Sequence, residues 1–160
     1  MTRYSFEGLA KRCPQDKLYA WYTDFTPEDA DILRNNLQKR VSLQPVSRKL
    51  VTKEGNHVKI ESLYRSKKRE LKLHQNILLS PPTFTYEAET AVPKIATDQR
   101  KYTFIETPEG TKVTVDGEYK MLNVGLKIAD AFGLVKRRFV NESQEIMQAF
   151  LRAAEDEINR

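Results

Sequence analysis

Over the last fifth of the chain, apolar side chains recur at helical spacing. Ile128, Phe132, Val135, Phe139, Ile146, Phe150 and Ala154 fall on one side of a helical wheel, with Arg137, Arg138, Glu145, Gln148, Arg152 and Glu155 on the other. The pattern predicts one amphipathic helix from Leu126 to Ile158 with a single apolar stripe, roughly 50 Å long at 1.5 Å per residue. An aromatic stripe of that length needs a broad apolar partner. The preceding segments supply one, because they alternate with period two.

Tyr4, Phe6, Gly8 and Ala10 oppose Arg3, Ser5 and Glu7 in a half-buried strand that Cys13-Pro14 ends. Two short helices are predicted next. In the first, Leu18, Trp21, Tyr22 and Phe25 recur at helical spacing; the second runs to about Leu37, with Thr26 as N-cap and Pro27 at its first position. Strands are then expected over Val46 to Lys53, Val58 to Tyr64, Leu71 to Leu79, Thr83 to Glu89, Arg100 to Thr107 and Thr111 to Val124. Glu54-Gly55-Asn56, Ser80-Pro81-Pro82 and Pro108-Glu109-Gly110 turn the chain between them.

Alternation assigns the faces. Val58, Ile60, Ser62 and Tyr64 share a side, as do Leu71, Leu73, Gln75 and Ile77, then Phe84, Tyr86 and Ala88, then Tyr102 and Phe104, and finally Val113, Val115, Gly117, Tyr119 and Met121. One wet face per strand is the mark of an antiparallel sheet covered on one side. Gly117, midway along the longest strand, is expected to allow a bend.

Composition narrows the classes of chemistry. One cysteine, Cys13, excludes an internal disulfide and reads as a buried inert thiol. Two histidines, both on the outer parity, give no basis for a metal site, and no phosphate-cradling glycine loop or nucleophile elbow occurs. No cofactor is expected. No apolar run approaches the roughly 20 residues of a membrane span, and Met1 to Tyr22 lacks a signal-peptide core, so the expectation is a cytoplasmic protein. The net charge of +5 is concentrated: residues 42–75 carry nine Lys or Arg against three acids, densest at Arg65-Ser66-Lys67-Lys68-Arg69. That cluster reads as a solvated hairpin loop, or as a contact for an anionic membrane surface or RNA.

The order strand, two short helices, about six strands and a long helix resembles the START-like superfamily, also called SRPBCC or the birch-pollen-allergen fold. The resemblance covers nearly the whole chain. It rests on Cys13-Pro14-Gln15-Asp16-Lys17-Leu18-Tyr19-Ala20-Trp21 with Thr23-Asp24-Phe25, on Tyr102-Thr103-Phe104 through Gly110-Thr111-Lys112-Val113-Thr114, and on the closing helix with Glu155. It implies one α+β helix-grip domain over residues 1–160. A strongly curved antiparallel sheet of about seven strands would wrap the C-terminal helix, with two short helices between strands 1 and 2.

A helix propped off a curved sheet leaves an apolar cavity with a few polar groups, the usual setting of a small-molecule site. On the assigned faces its wall would comprise Tyr64, Gln75, Phe84, Tyr86, Tyr102, Phe104, Val115, Tyr119 and Met121 from the sheet. Phe132, Val135 and Phe139 would come from the helix. Buried tyrosines need partners for their hydroxyls, so several on one face suit a hydrophobic ligand bearing one or two oxygens, although ordinary core packing also accounts for them. The leading expectation is binding or carriage of a lipid, isoprenoid, quinone or polyketide-like molecule. The resemblance also implies a polyketide cyclase or aromatase as an alternative, in which Tyr64, Tyr102 or Tyr119 would guide proton transfer. No catalytic residue stands out. Docking on RNA, ribosome or membrane through residues 42–75 is the third reading.

Overall fold

In the computed structural model, which describes residues 1–67, 69–131 and 133–160, the alternating segments pair into one antiparallel sheet. Its strands are β1 (Thr2–Lys11), β2 (Gln44–Glu54), β3 (His57–Arg65), β4 (Glu70–Ser80), β5 (Thr85–Val92), β6 (Ala96–Thr107) and β7 (Gly110–Met121), in spatial order β1-β7-β6-β5-β4-β3-β2. Helices α1 (Gln15–Tyr22) and α2 (Asp29–Asn36) separate β1 from β2. The expected cap at Thr26 falls two residues early, since the N-cap position is Glu28. The Thr26 carbonyl accepts the Asp29 N–H at 3.1 Å, but α2 begins without a side-chain cap.

The long helix is two. Gly133, left-handed at φ 76°, separates α3 (Val124–Ala131) from α4 (Leu134–Ile158). Helical periodicity passes over this position because apolar residues continue on both sides of it, but the left-handed backbone that glycine readily adopts ends the first segment. The stripe divides accordingly: Ile128 is 60% exposed on α3, whereas Phe150 and Ala154 are buried on α4, joined there by Met147 and Leu151, which the expected stripe does not include. Phe132 from the expected stripe and Lys68 from the basic loop lie outside the described residues.

Two glycines set the packing. A Cβ on Gly8 would lie 2.8–2.9 Å from Leu151 Cδ1, Gln148 Nε2 and Met147 Cε, so its absence lets α4 rest directly on β1. At Gly117, where a bend is expected, β7 keeps continuous register with both neighbours. A Cβ there would sit 2.5 Å from the Tyr4 hydroxyl, and the glycine leaves room for that ring to cross β7.

Glu145, expected on the wet side of the helix, is buried. Its carboxylate accepts the N–H groups of Gln38 (2.8 Å) and Lys39 (3.3 Å) and lies 2.9 Å from Arg152 Nη2, which pins the chain after α2 to α4. Burial alone would raise its pKa. The Gln38 N–H, Arg152 and the Lys39 N–H outweigh burial and hold the carboxyl below its ordinary 4.5. A depressed carboxylate stabilises the fold above its unfolded pKa, and that contribution disappears as pH falls through the folded value. Glu145→Ala is therefore expected to lower stability by about 1–3 kcal/mol at neutral pH. The deficit against wild type should shrink in urea titrations repeated progressively below pH 4.5.

Candidate functional site

Register builds the site in three transverse rows. Ile60, Gln75, Thr90, Asp98 and Tyr119 lie side by side across β3, β4, β5, β6 and β7. The next row is Val58, Ile77, Ala88, Arg100 and Gly117, continued by Tyr4 on β1, and the third is Leu79, Tyr86, Tyr102, Val115 and Phe6. Because side chains alternate, these rows share the face turned toward α4. Between them and the helix lies a cavity of about 310 Å³, at the small end of ligand sites. Phe139, Ile146, Met147 and Phe150 of α4 line one side, and Trp21, Tyr22 and Phe25 close it near α1.

Tyr64, Gln75, Tyr86, Tyr102, Tyr119, Met121 and Phe139 all line this cavity. Four other expected wall residues lie outside it. Phe84 shares the parity of Tyr86, yet the 3-10 turn Pro81–Thr83 leaves it left-handed at φ 50°, and its ring packs edge-on against Tyr19 at 5.7 Å. Phe104 and Val115 stand toward the end where α4 meets Gly8, in one packed cluster with Met147 and Leu151, and do not line the cavity. Val135, one turn before Phe139, packs against that cluster at the start of α4.

The hydroxyls divide by role. Tyr119 donates to Asp130 Oδ1, and Thr2 Oγ1 reaches the other carboxylate oxygen at 2.6 Å, clipping α3 to the sheet and leaving Tyr119 as an apolar wall. Tyr86 and Tyr102 stack at 4.2 Å, with the Tyr22 ring 6.4 and 6.1 Å away. Burial pushes the Tyr22 and Tyr86 hydroxyls well above their ordinary pKa, so both stay protonated donors at neutral pH.

Two ion pairs are set into the wall. Arg100 Nε donates to Asp98 Oδ2 at 2.7 Å, Nη2 lies 2.7 Å from the same oxygen, and Nη1 reaches the Tyr102 hydroxyl at 3.3 Å. Tyr4 donates to Asp98 Oδ1 at 2.5 Å, and the guanidinium lies over the rings of Tyr4 (5.5 Å) and Phe139 (5.6 Å). The second pair is Arg48 with Asp29, 2.8 Å apart, with Arg48 5.7 Å above the Phe150 ring. Sequence reasoning missed both. Asp98 and Arg100 share the parity of Tyr102, which is the available signal, but charged side chains on a strand read as solvated. Arg48, part of the basic surplus of residues 42–75, turns inward. Of the exposed part of that segment, Arg65 pairs with Glu70 at 2.8 Å.

His57 and His74 are on the outer face, Cys13 is buried, and among the described residues no cluster of three or more His, Cys, Asp or Glu could hold a metal. No helix among the described residues is long and apolar enough to cross a membrane.

No family model matches the sequence, and no curated protein matches it. Solved structures do match the fold. TTHA0849 from Thermus thermophilus superposes with a TM-score of 0.74 at 12% identity, over 96% of this chain and 97% of that one. The Zhui aromatase/cyclase from Streptomyces sp. R1128 gives 0.72 at 12% identity, over 96% and 92%. Ara h 8.0201 gives 0.67 at 16% identity, over 96% and 98%. With a seven-stranded antiparallel sheet curved around a C-terminal helix, and two short helices after the first strand, the chain has the helix-grip fold, shared with these structures.

Proposed function

We propose that this protein binds or carries a hydrophobic small molecule, of lipid, isoprenoid, quinone or polyketide-like character, in the cavity between sheet and helix. The observation that carries the reading is the cavity itself: an aromatic and aliphatic wall interrupted by a few fixed donors, the composition expected of a ligand site. Among the described lining residues there is no histidine or cysteine. Asp29 and Asp98 are each held in an ion pair, and the Tyr22 and Tyr86 hydroxyls stay protonated. The remaining lining carboxylate, Glu142, accepts from Ser42 and Arg138 at the rim, and a wall whose carboxylates are all engaged favours binding over turnover. Arg100 supports a cyclase-type enzyme as the second reading, since a buried guanidinium can stabilise an enolate oxygen as charge develops on it.

Ala88, only 3% exposed and in the middle of the wall, offers a direct test. Titration with the apolar fluorophore N-phenyl-1-naphthylamine is expected to show saturable uptake by wild type. Ala88→Trp, which plugs the cavity, should weaken that uptake by at least about tenfold, or 1.4 kcal/mol. Native mass spectrometry without bound species, together with no probe uptake by wild type, would remove the binding reading.

A further inference from the structure

Resting on the cavity reading above, we infer that the ligand is a neutral molecule bearing a carbonyl oxygen, and that the Arg100 guanidinium holds that oxygen. Of the five guanidinium N–H groups, that of Nε is hydrogen-bonded to Asp98 Oδ2 and one of Nη1 to the Tyr102 hydroxyl, with Nη2 2.7 Å from Oδ2, so Nη1 and Nη2 each keep at least one donor without a protein acceptor among the described residues. The Tyr22 hydroxyl, which lines the cavity and makes no hydrogen bond among the described residues, adds a further donor. The inner carboxylates are already engaged: Asp98 takes Tyr4 and Arg100, and Asp29 takes Arg48 and, at 3.4 Å, Thr26. A donor-rich wall calls for a ligand that accepts.

Charge then selects among acceptors. The ionic lining groups are the Arg48–Asp29 and Arg100–Asp98 pairs, which cancel, and Glu142, which lies 3.4 Å from Arg138, so no cation in the wall is left over. Glu142 also accepts from the Ser42 N–H and hydroxyl at the rim. A carboxylate ligand would bring a further negative charge into a wall with no uncompensated cation, whereas a ketone or quinone oxygen takes the free N–H groups without adding charge. Arg100 lies over Phe139, which lines the cavity from α4, so the bound carbonyl would have the carbon skeleton beside it against an aromatic surface.

Competition against N-phenyl-1-naphthylamine with three molecules of one skeleton tests this: fluorene, 9-fluorenone and fluorene-9-carboxylate. Fluorenone should displace the probe at a concentration at least about tenfold lower than fluorene, with the carboxylate no better than fluorene. The fluorenone carbonyl stretch should move to lower frequency on binding wild type, a readout that needs no variant. The paired change Asp98→Asn with Arg100→Gln removes the ion pair without leaving a lone charge, and should bring fluorenone to within about twofold of fluorene. Equal potency of fluorene and fluorenone on wild type would overturn the carbonyl assignment while leaving the cavity intact. So would a carboxylate tenfold better than the ketone, or a fluorenone preference unchanged in the paired variant. Failure of the fluorophore and all three competitors to bind would instead remove the cavity reading, and the inference with it.

Discussion

Replacing Asp98 with alanine is expected to destabilise the protein by about 3–5 kcal/mol, the usual consequence of removing one partner of a buried ion pair. The Asp98 side chain is 10% exposed and that of Arg100 14%, so neither charge is well solvated. Asp98 also accepts the Tyr4 hydroxyl, which reaches it across Gly117. Its removal thus leaves a guanidinium and a hydroxyl without their acceptor, and two rows of the sheet meet at that point. Against a typical total stability of 5–15 kcal/mol, the loss is large enough to unfold part of the population near physiological temperature. The melting temperature should fall by on the order of 10 °C. Removing both charges with Asp98→Asn and Arg100→Gln should cost much less, because no lone charge stays behind. Urea melts of the single and paired variants check the difference; a single variant within about 1 kcal/mol of wild type would show that water already reaches the pair.

The same pair marks where sequence reasoning stops. Period-two alternation assigns Tyr64, Gln75, Tyr86, Tyr102, Tyr119 and Met121 to one face, and all six line the cavity because parity is a local property that register preserves. Parity does not say how far along a strand the helix touches. Phe104 and Val115 share the face but lie where α4 is seated on β1 through Gly8, a long-range contact that no local pattern carries. Phe84 departs for a local reason, since the turn before β5 leaves it left-handed and rotates its ring toward α1. Asp98 and Arg100 obey the parity rule and still escape notice, because charge on a strand ordinarily signals solvent. A charged residue in register with a row of buried aromatics is better read as one half of a buried pair, and the other half sought two positions away. Gly133 shows the converse error: a continuous apolar period conceals a backbone conformation that breaks it.

Phe104→Ala is the second change expected to have a large effect, a loss of about 3–5 kcal/mol, as for other fully buried aromatic rings cut back to a methyl group. Phe104 is 1% exposed and touches three aromatic neighbours, with ring centroids 5.2 Å from Tyr19, 5.5 Å from Tyr22 and 6.2 Å from Tyr86. Two of those neighbours, Tyr22 and Tyr86, line the cavity on their other side. Phe104 is therefore the backing of the wall, and the void left by its ring would open behind Tyr22 and Tyr86. The Tyr19 hydroxyl, which donates to the Thr85 carbonyl at 2.7 Å, holds α1 against the sheet and limits how far the backbone can collapse into that space. An apolar ligand should recover part of the lost stability by filling it, through the mass-action stabilisation that any native-state ligand provides. At saturating N-phenyl-1-naphthylamine, the rise in melting temperature should thus be larger for Phe104→Ala than for wild type. An equal rise in both proteins, with the full loss of stability still present, would mean that the new void is sealed from the cavity and that Phe104 supports the fold without shaping the site.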